Sequence, residues 1–284
     1  MACDDSLIPS CGSDCLITDG IVIKIWPSTV GGTLIAWELP ATLPVSGDAV
    51  YRVQFGRTPS NDDNTWEDVG NPDTNITQVV DYKYRDVGAD RYSYYRLEIT
   101  DGDVKYLSQP YFSDVGVMSM AQRRLYNEIV RREQRRYRDR ATPACIGYLI
   151  KLRRHGPPCP ECTDPDTNQR YLEHCPVCFG GGYDRGYYKP IKCFYMDVGN
   201  YKRNVVVTEN AGMTTEGNIS SLKWLNIPNV DPGDIWVDAN TDYRWEIGEI
   251  TVVTKVASLP LICTAPGARL PLNDVAYTIS LETL

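Results

Sequence analysis

The chain has 284 residues, is 42% hydrophobic and 23% charged, and carries a net charge of −8. These values suit a soluble globular protein long enough for two domains, and no run of eighteen apolar residues is present, so no membrane-spanning helix is predicted. The N-terminal Met1-Ala-Cys-Asp-Asp5 lacks the basic and apolar regions of a secretory signal, so assembly in a cytoplasm is expected.

The charge is unevenly spread. Residues 1–118 carry 8 basic and 18 acidic side chains, residues 119–156 carry 11 and 3, and residues 157–284 carry 10 and 16. A cationic middle between two anionic parts points to an electrostatic match within or between subunits rather than to wholesale nucleic-acid binding.

Residues 1–17 read as an extended arm, since Pro9, Gly12 and the Ser/Asp content break any periodicity. Cys3, Cys11 and Cys15 crowd into it as thiols, disulfide partners or ligands of a second metal. From residue 18 to 113 the pattern is β. Ile21, Ile23 and Ile25 alternate, as do Ile35, Trp37 and Leu39, then Tyr51, Val53 and Phe55, then Tyr95, Leu97 and Ile99 before the Asp101-Gly102 hairpin signal. About seven short strands in about 95 residues read as an immunoglobulin-like sandwich. No cysteine lies between residues 16 and 144, so its core rests on Trp37 and the aliphatic rows. Leu34-Ile-Ala-Trp-Glu-Leu-Pro40, Tyr51-Arg-Val-Gln-Phe55 and Tyr92-Ser-Tyr-Tyr-Arg-Leu-Glu-Ile99 resemble a fibronectin type III domain, which implies a spacer or adhesive decoration.

Residues 114–142 change character. Pro and Gly vanish from residue 117 to residue 140, and Met118, Ala121, Leu125 and Ile129 recur at helical spacing behind Ser119 as N-cap. One long Arg-rich helix is predicted. Arg123, Arg124, Arg131, Arg132, Arg135 and Arg136 are its candidate docking residues, for an acidic protein surface or for the phosphates of packaged DNA. The bland alternative is a solvated face neutralised by Glu128, Glu133 and Asp139.

Residues 143–284 read as a small β-barrel with a finger at 156–184 inserted between two strands. In the finger, Cys159-Pro-Glu-Cys162 and Cys175-Pro-Val-Cys178 are separated by twelve residues. Two such pairs each offer two thiolates from a tight turn, the spacing of a structural four-cysteine zinc ribbon; two disulfides or unligated thiols are the alternatives. A closed four-thiolate site leaves no open position for substrate. The numbering is nearly symmetric about the finger. One antiparallel hairpin would pair Cys159 with Cys178 and bring Cys145 near Cys193, a candidate disulfide or thiol pair. The only histidines, His155 and His174, are read as supporting or surface residues beside the thiolates. Glu209 to Gly217 reads as a long polar loop.

Within the barrel, Asp231-Pro-Gly-Asp-Ile-Trp-Val-Asp238 running on to Ile247, Pro260-Leu-Ile-Cys-Thr-Ala265 and Arg269-Leu-Pro-Leu-Asn-Asp-Val-Ala-Tyr277 resemble the β-barrel of tailed-bacteriophage head-completion or stopper proteins. The finger followed by Gly186-Tyr-Tyr-Lys-Pro190 is similar to a cysteine-rich variant of those neck proteins. The resemblance implies a structural virion protein, assembled in the host cytoplasm. It would form a ring with copies of itself in the head-tail connector and touch neighbouring portal, connector or tail proteins. A baseplate or tail-completion role and a zinc-ribbon nucleic-acid-binding role are the alternatives. No Gly-x-Ser-x-Gly, P-loop or dinucleotide fingerprint occurs, so neither catalysis nor a small-molecule substrate is expected.

Overall fold

The computed structural model describes residues 15–18, 20–28, 32–59, 63–83, 94–112, 119–139, 144–165, 167, 169–172, 175–199, 202–207, 214–225, 230–257 and 259–281. Residues 1–14 with Cys3 and Cys11, His174, most of the predicted loop from residue 209, and the side chains of Cys15, Arg123 and Cys193 lie outside the described set. The chain divides into two units, Met1–Val117 and Met118–Leu284.

The first unit is all β among its regular elements, apart from one short 3-10 turn. Its strands are β1 (Cys15–Ile17), β2 (Val22–Ser28), β3 (Gly32–Glu38), β4 (Val50–Gly56), β5 (Trp66–Thr74), β6 (Gln78–Asp81), β7 (Tyr94–Asp101), β8 (Val104–Leu107) and β9 (Tyr111–Phe112). One sheet runs β1-β8-β7-β4-β5, with β9 also on β7; the other runs β2-β3-β6. The alternating rows face inward from both sheets. Ile23, Ile25, Ile35 and Trp37 from one meet Tyr51, Val53, Phe55, Tyr95, Leu97 and Ile99 from the other in one core. Cys15 to Ile17 are not wholly an arm: their backbone pairs in parallel with Lys105 to Leu107 and satisfies that strand's edge.

Strand β7 departs from simple alternation, because its outward side chains are buried too. Arg96 lies over the Trp66 ring at 4.5 Å, donates to Gln54 at 2.7 Å and pairs with Asp63 at 2.5 Å. Glu98 lies between Lys105 and Arg52. A central strand needs both faces covered, and here charged stems do it on the outer side.

The second unit begins with helix α1 (Met120–Arg138), followed by β10 (Ala144–Ile150), β11 (Ile191–Val198), β12 (Lys202–Val207), β13 (Thr214–Leu225), β14 (Ile235–Asp238), β15 (Arg244–Ile247), β16 (Thr251–Val256) and β17 (Leu259–Arg269). The sheet order is β12-β13-β11-β10-β14-β15-β17-β16, and β13 also pairs with β17. That extra ladder, from Ile219 opposite Ala268 to Leu225 opposite Ile262, closes six strands into a barrel. Leu149, Met196, Trp224, Trp236 and Trp245 fill the inner core. Outside the β10–β14 wall, Ile150, Ile235 and Val237 pack under Ala276 and Ile279 of the C-terminal turn. Buried Arg244 pins that turn by donating to the carbonyls of Ala276 and Ile279.

Three further expectations are revised. The last residues of the predicted polar loop, Thr214 to Gly217, belong to β13, paired with Asn204 to Val207 of β12. Helix α1 begins with a capping box between Ser119 and Gln122, but its buried side chains are Tyr126, Glu133 and Tyr137; of the predicted row Ala121 and Leu125 are exposed, Ile129 is half-buried and Met118 lies outside the described residues. Two tyrosine rings bury more apolar area than the short aliphatic row, so they win the core-facing side. Finally, β10 sets Cys145 opposite Met196, not opposite Cys193. The symmetry argument missed the three glycines after Cys178, which lengthen one arm of the hairpin.

A candidate metal centre on an extended barrel hairpin

Strands β10 and β11 leave the barrel wall together and continue into the finger. Leu152 bridges Tyr187, Pro158 bridges Tyr183, and the Cys159 amide donates to the Gly182 carbonyl at 3.0 Å. Each Cys-x-x-Cys segment then forms its own turn. The amides of Cys162 and Thr163 donate to the Cys159 carbonyl, and the Phe179 amide donates to the Cys175 carbonyl at 2.8 Å. Phe179, Gly180 and Gly182 have φ of 49°, 83° and 79°, the left-handed backbone that turns the second knuckle back. Gly186 is more tightly constrained: a Cβ there would lie 1.8 Å from the Cys178 carbonyl oxygen.

The four thiol sulfurs of Cys159, Cys162, Cys175 and Cys178 all lie within 4.8 Å of one another, and all four residues are buried. Cys159 and Cys175 sulfurs are 3.8 Å apart, and Cys162 and Cys178 sulfurs 3.4 Å. Ideal tetrahedral zinc with Zn–S of about 2.3 Å needs sulfurs about 3.8 Å apart, so the set fits the ion; a disulfide would need about 2 Å. Backbone amides already point at the sulfurs. Val177 donates to Cys175 Sγ and Gly182 to Cys178 Sγ, each at 3.4 Å. Such donors stabilise thiolates and orient them.

Electrostatics point the same way. Burial pushes the thiols of Cys159 and Cys162 up. At Cys175 burial pushes up as well, but the amides of Cys178 and Val177 overcome it and hold the thiol below its ordinary value. Burial thus works against ionisation of Cys159 and Cys162, a cost that a bound divalent ion would offset. If bound, zinc would be held by Cys159, Cys162, Cys175 and Cys178, and these leave no position for a substrate.

The finger's base is fastened by a charged cluster that motif reading did not single out. Lys151 Nζ donates to Asp234 Oδ2 at 2.8 Å and to Asp231 Oδ2 at 2.9 Å, and Asp234 also accepts from the amides of Leu152 and Asp231. The sequence signal was Asp231-Pro-Gly-Asp234, a turn whose second carboxylate points inward. His155 lies in the finger's base, where its Nε2 meets the Tyr188 hydroxyl at 2.7 Å, and Arg153 lies over the same ring.

The predicted docking arginines divide. Arg124, Arg131, Arg132, Arg135 and Arg136 are all exposed, but Arg136 also reaches the barrel, pairing with Asp197 at 3.1 Å and Glu133 at 3.5 Å. No family model, curated protein or solved structure matches this chain.

Proposed function

We propose that this chain is a structural, ring-forming protein of a tailed-bacteriophage neck, placed in the virion between neighbouring connector or tail proteins. The observation that carries the reading is the finger: four clustered, buried cysteines that with a bound metal would leave no open position, set at the end of two strands that belong to a closed barrel. Such a centre stiffens a projection too small to bury its own core, a use that suits a contact arm and not a reaction. In this reading the finger is a zinc ribbon, and the first unit is a fibronectin type III-like decoration. The chain has no catalytic role and needs no small-molecule substrate. The phrases around Asp231, Pro260 and Arg269 that resemble neck barrels support the assignment to this assembly, with a baseplate or tail-completion position as its near variant.

A second reading, a zinc-ribbon nucleic-acid-binding protein, draws support from the exposed arginines of α1. Particle preparations separate the two. The structural reading expects the chain in purified virions at a fixed, multi-copy stoichiometry, with closed rings of recombinant protein by mass photometry. Its absence from virions, together with duplex binding whose affinity falls steeply with salt, would replace it with the second reading.

A further inference from the structure

The outward face of α1 is a row of arginines. At about 100° per residue, Arg124, Arg131, Arg135 and Arg138 lie within about 60° of one another, opposite buried Tyr126, Glu133 and Tyr137. All four are exposed, and none makes an ion pair with any described residue; exposed Glu128 is the carboxylate in their midst. The row is about 21 Å long at about 1.5 Å per residue. It is also held in place, because α1 packs on β10, β11, β13 and β16 and Arg136 ties it to Asp197.

Helix stability does not account for the row. Arg131 and Arg135 stand at the i,i+4 spacing, where like charges destabilise a helix. The first turn holds no acidic residue and is followed by Arg123 and Arg124, against the sign that the N-terminal end of the helix dipole favours. A polyanion laid along the helix relieves both costs.

The surroundings of the row distinguish among polyanions. Between residues 126 and 139 no exposed side chain is apolar, and Met120 and Leu125 lie at the N-terminal end. A protein interface takes most of its affinity from buried central anchors, whereas phosphate contacts need no apolar centre. All eight basic residues between 119 and 140 are arginine and none is lysine. Arginine is the side chain that grips a phosphate with two parallel donors. Both aromatic rings of α1 are buried, so unpaired bases have no ring of this helix to stack on. A duplex needs none, and it presents one charge per about 1.7 Å, about a dozen along the row. The acidic remainder of the chain is screened beyond about 8 Å at physiological salt.

We propose that the arginine row of α1 grips the phosphates of duplex DNA without reading its sequence. The inference goes beyond the ring reading: it needs neither a ring nor a bound metal, and it places the DNA on the helix and not on the finger.

The test measures fluorescence anisotropy of labelled 20-base-pair duplexes of two unrelated sequences with the full, zinc-loaded chain. Both are expected to bind alike. With all four arginines engaged, log K should fall against log salt with a slope of about −3.6 per chain, about a hundredfold in affinity between 50 and 200 mM salt. Arg131→Gln with Arg135→Gln should make that slope shallower by about 2. Arg170→Gln with Arg185→Gln, on the finger, should leave it unchanged. Circular dichroism and zinc content establish that both variants are folded. No binding at 50 mM salt, or a slope that the helix variant leaves unchanged, overturns the inference. A loss confined to the finger variant overturns it too and gives the DNA to the zinc ribbon. Preference for one duplex, or for a single strand of the same length, removes the backbone-only mode. Displacement of the duplex by polyglutamate at equal charge concentration gives the face to an acidic protein instead. Virion content and ring formation decide the ring reading separately, so either can fail alone.

Discussion

Lys151 Nζ lies 2.8 Å from Asp234 Oδ2, and both side chains are buried where the finger leaves the barrel. Burial pushes the Asp234 carboxyl up, against the pull of the Lys151 charge and of the amides of Asp231 and Leu152. Removing the cation alone strands a buried carboxylate. Lys151→Met is therefore expected to destabilise the second unit by about 3–5 kcal/mol, read as a lowered denaturant midpoint, and Lys151→Met with Asp234→Leu by clearly less. A double-variant loss equal to the sum of the Lys151→Met and Asp234→Leu losses would mean that the pair is not coupled.

Metal removal has a local signature. Zinc released under denaturing conditions should amount to about one ion per chain. At neutral pH a strong chelator is expected to open the finger while the barrel persists. Arg170 and Arg185, both exposed in the finger, should then become the first trypsin sites, and readdition of zinc should protect them. A digest unchanged by chelation would remove the metal from the account of the finger's rigidity.

Gly186→Ala probes the same centre without replacing any of the four cysteines. The backbone there has φ of 60°, and the new Cβ would meet the Cys178 carbonyl oxygen at 1.8 Å. Backbone strain of about 1–3 kcal/mol or more has to be relieved by moving that knuckle. Zinc affinity, measured by competition with a chromophoric chelator, should fall by about tenfold or more. Gly102→Ala, at a hairpin with nothing near its Cβ, serves as the control and should leave zinc affinity unchanged.

His155 sets a pH dependence with a definite sign. Burial, reinforced by the Arg153 charge, lowers its pKa to about 4. The unfolded imidazole titrates near about 6.5, so between these values the unfolded state binds more protons. Stability therefore is full above about 6.5 and declines as pH falls toward 4. His155→Gln should lose less stability than wild type over that window, by up to one proton in the slope of unfolding free energy against pH. Identical slopes would show that His155 is not held neutral in the fold.

Much of this molecule is legible from local pattern. The rows Ile35-Trp37, Tyr51-Val53-Phe55 and Tyr95-Leu97-Ile99 mark inward faces because a strand's period is two residues. The four clustered cysteines declare themselves by spacing, since each pair is one turn of chain. Barrel closure is not local: it depends on β13 meeting β17 across some forty residues, and periodicity carries no sign of which strand becomes the partner. The helix misled for a different reason. Glu133 is buried and the other fully buried side chains are tyrosines, so counting aliphatics found Ile129, half-buried, but also took in Ala121 and Leu125 from the exposed side. The Lys151–Asp234 pair was hidden because its members are 83 residues apart.

The continuity of β10 and β11 into the finger has a mechanical consequence. Each strand has a further neighbour in the wall, β14 beside β10 and β13 beside β11. A pull along the finger thus loads both ladders in shear, with their hydrogen bonds stretched together instead of peeled one by one. Tension arriving at the knuckles would be spread around the barrel before any strand could detach.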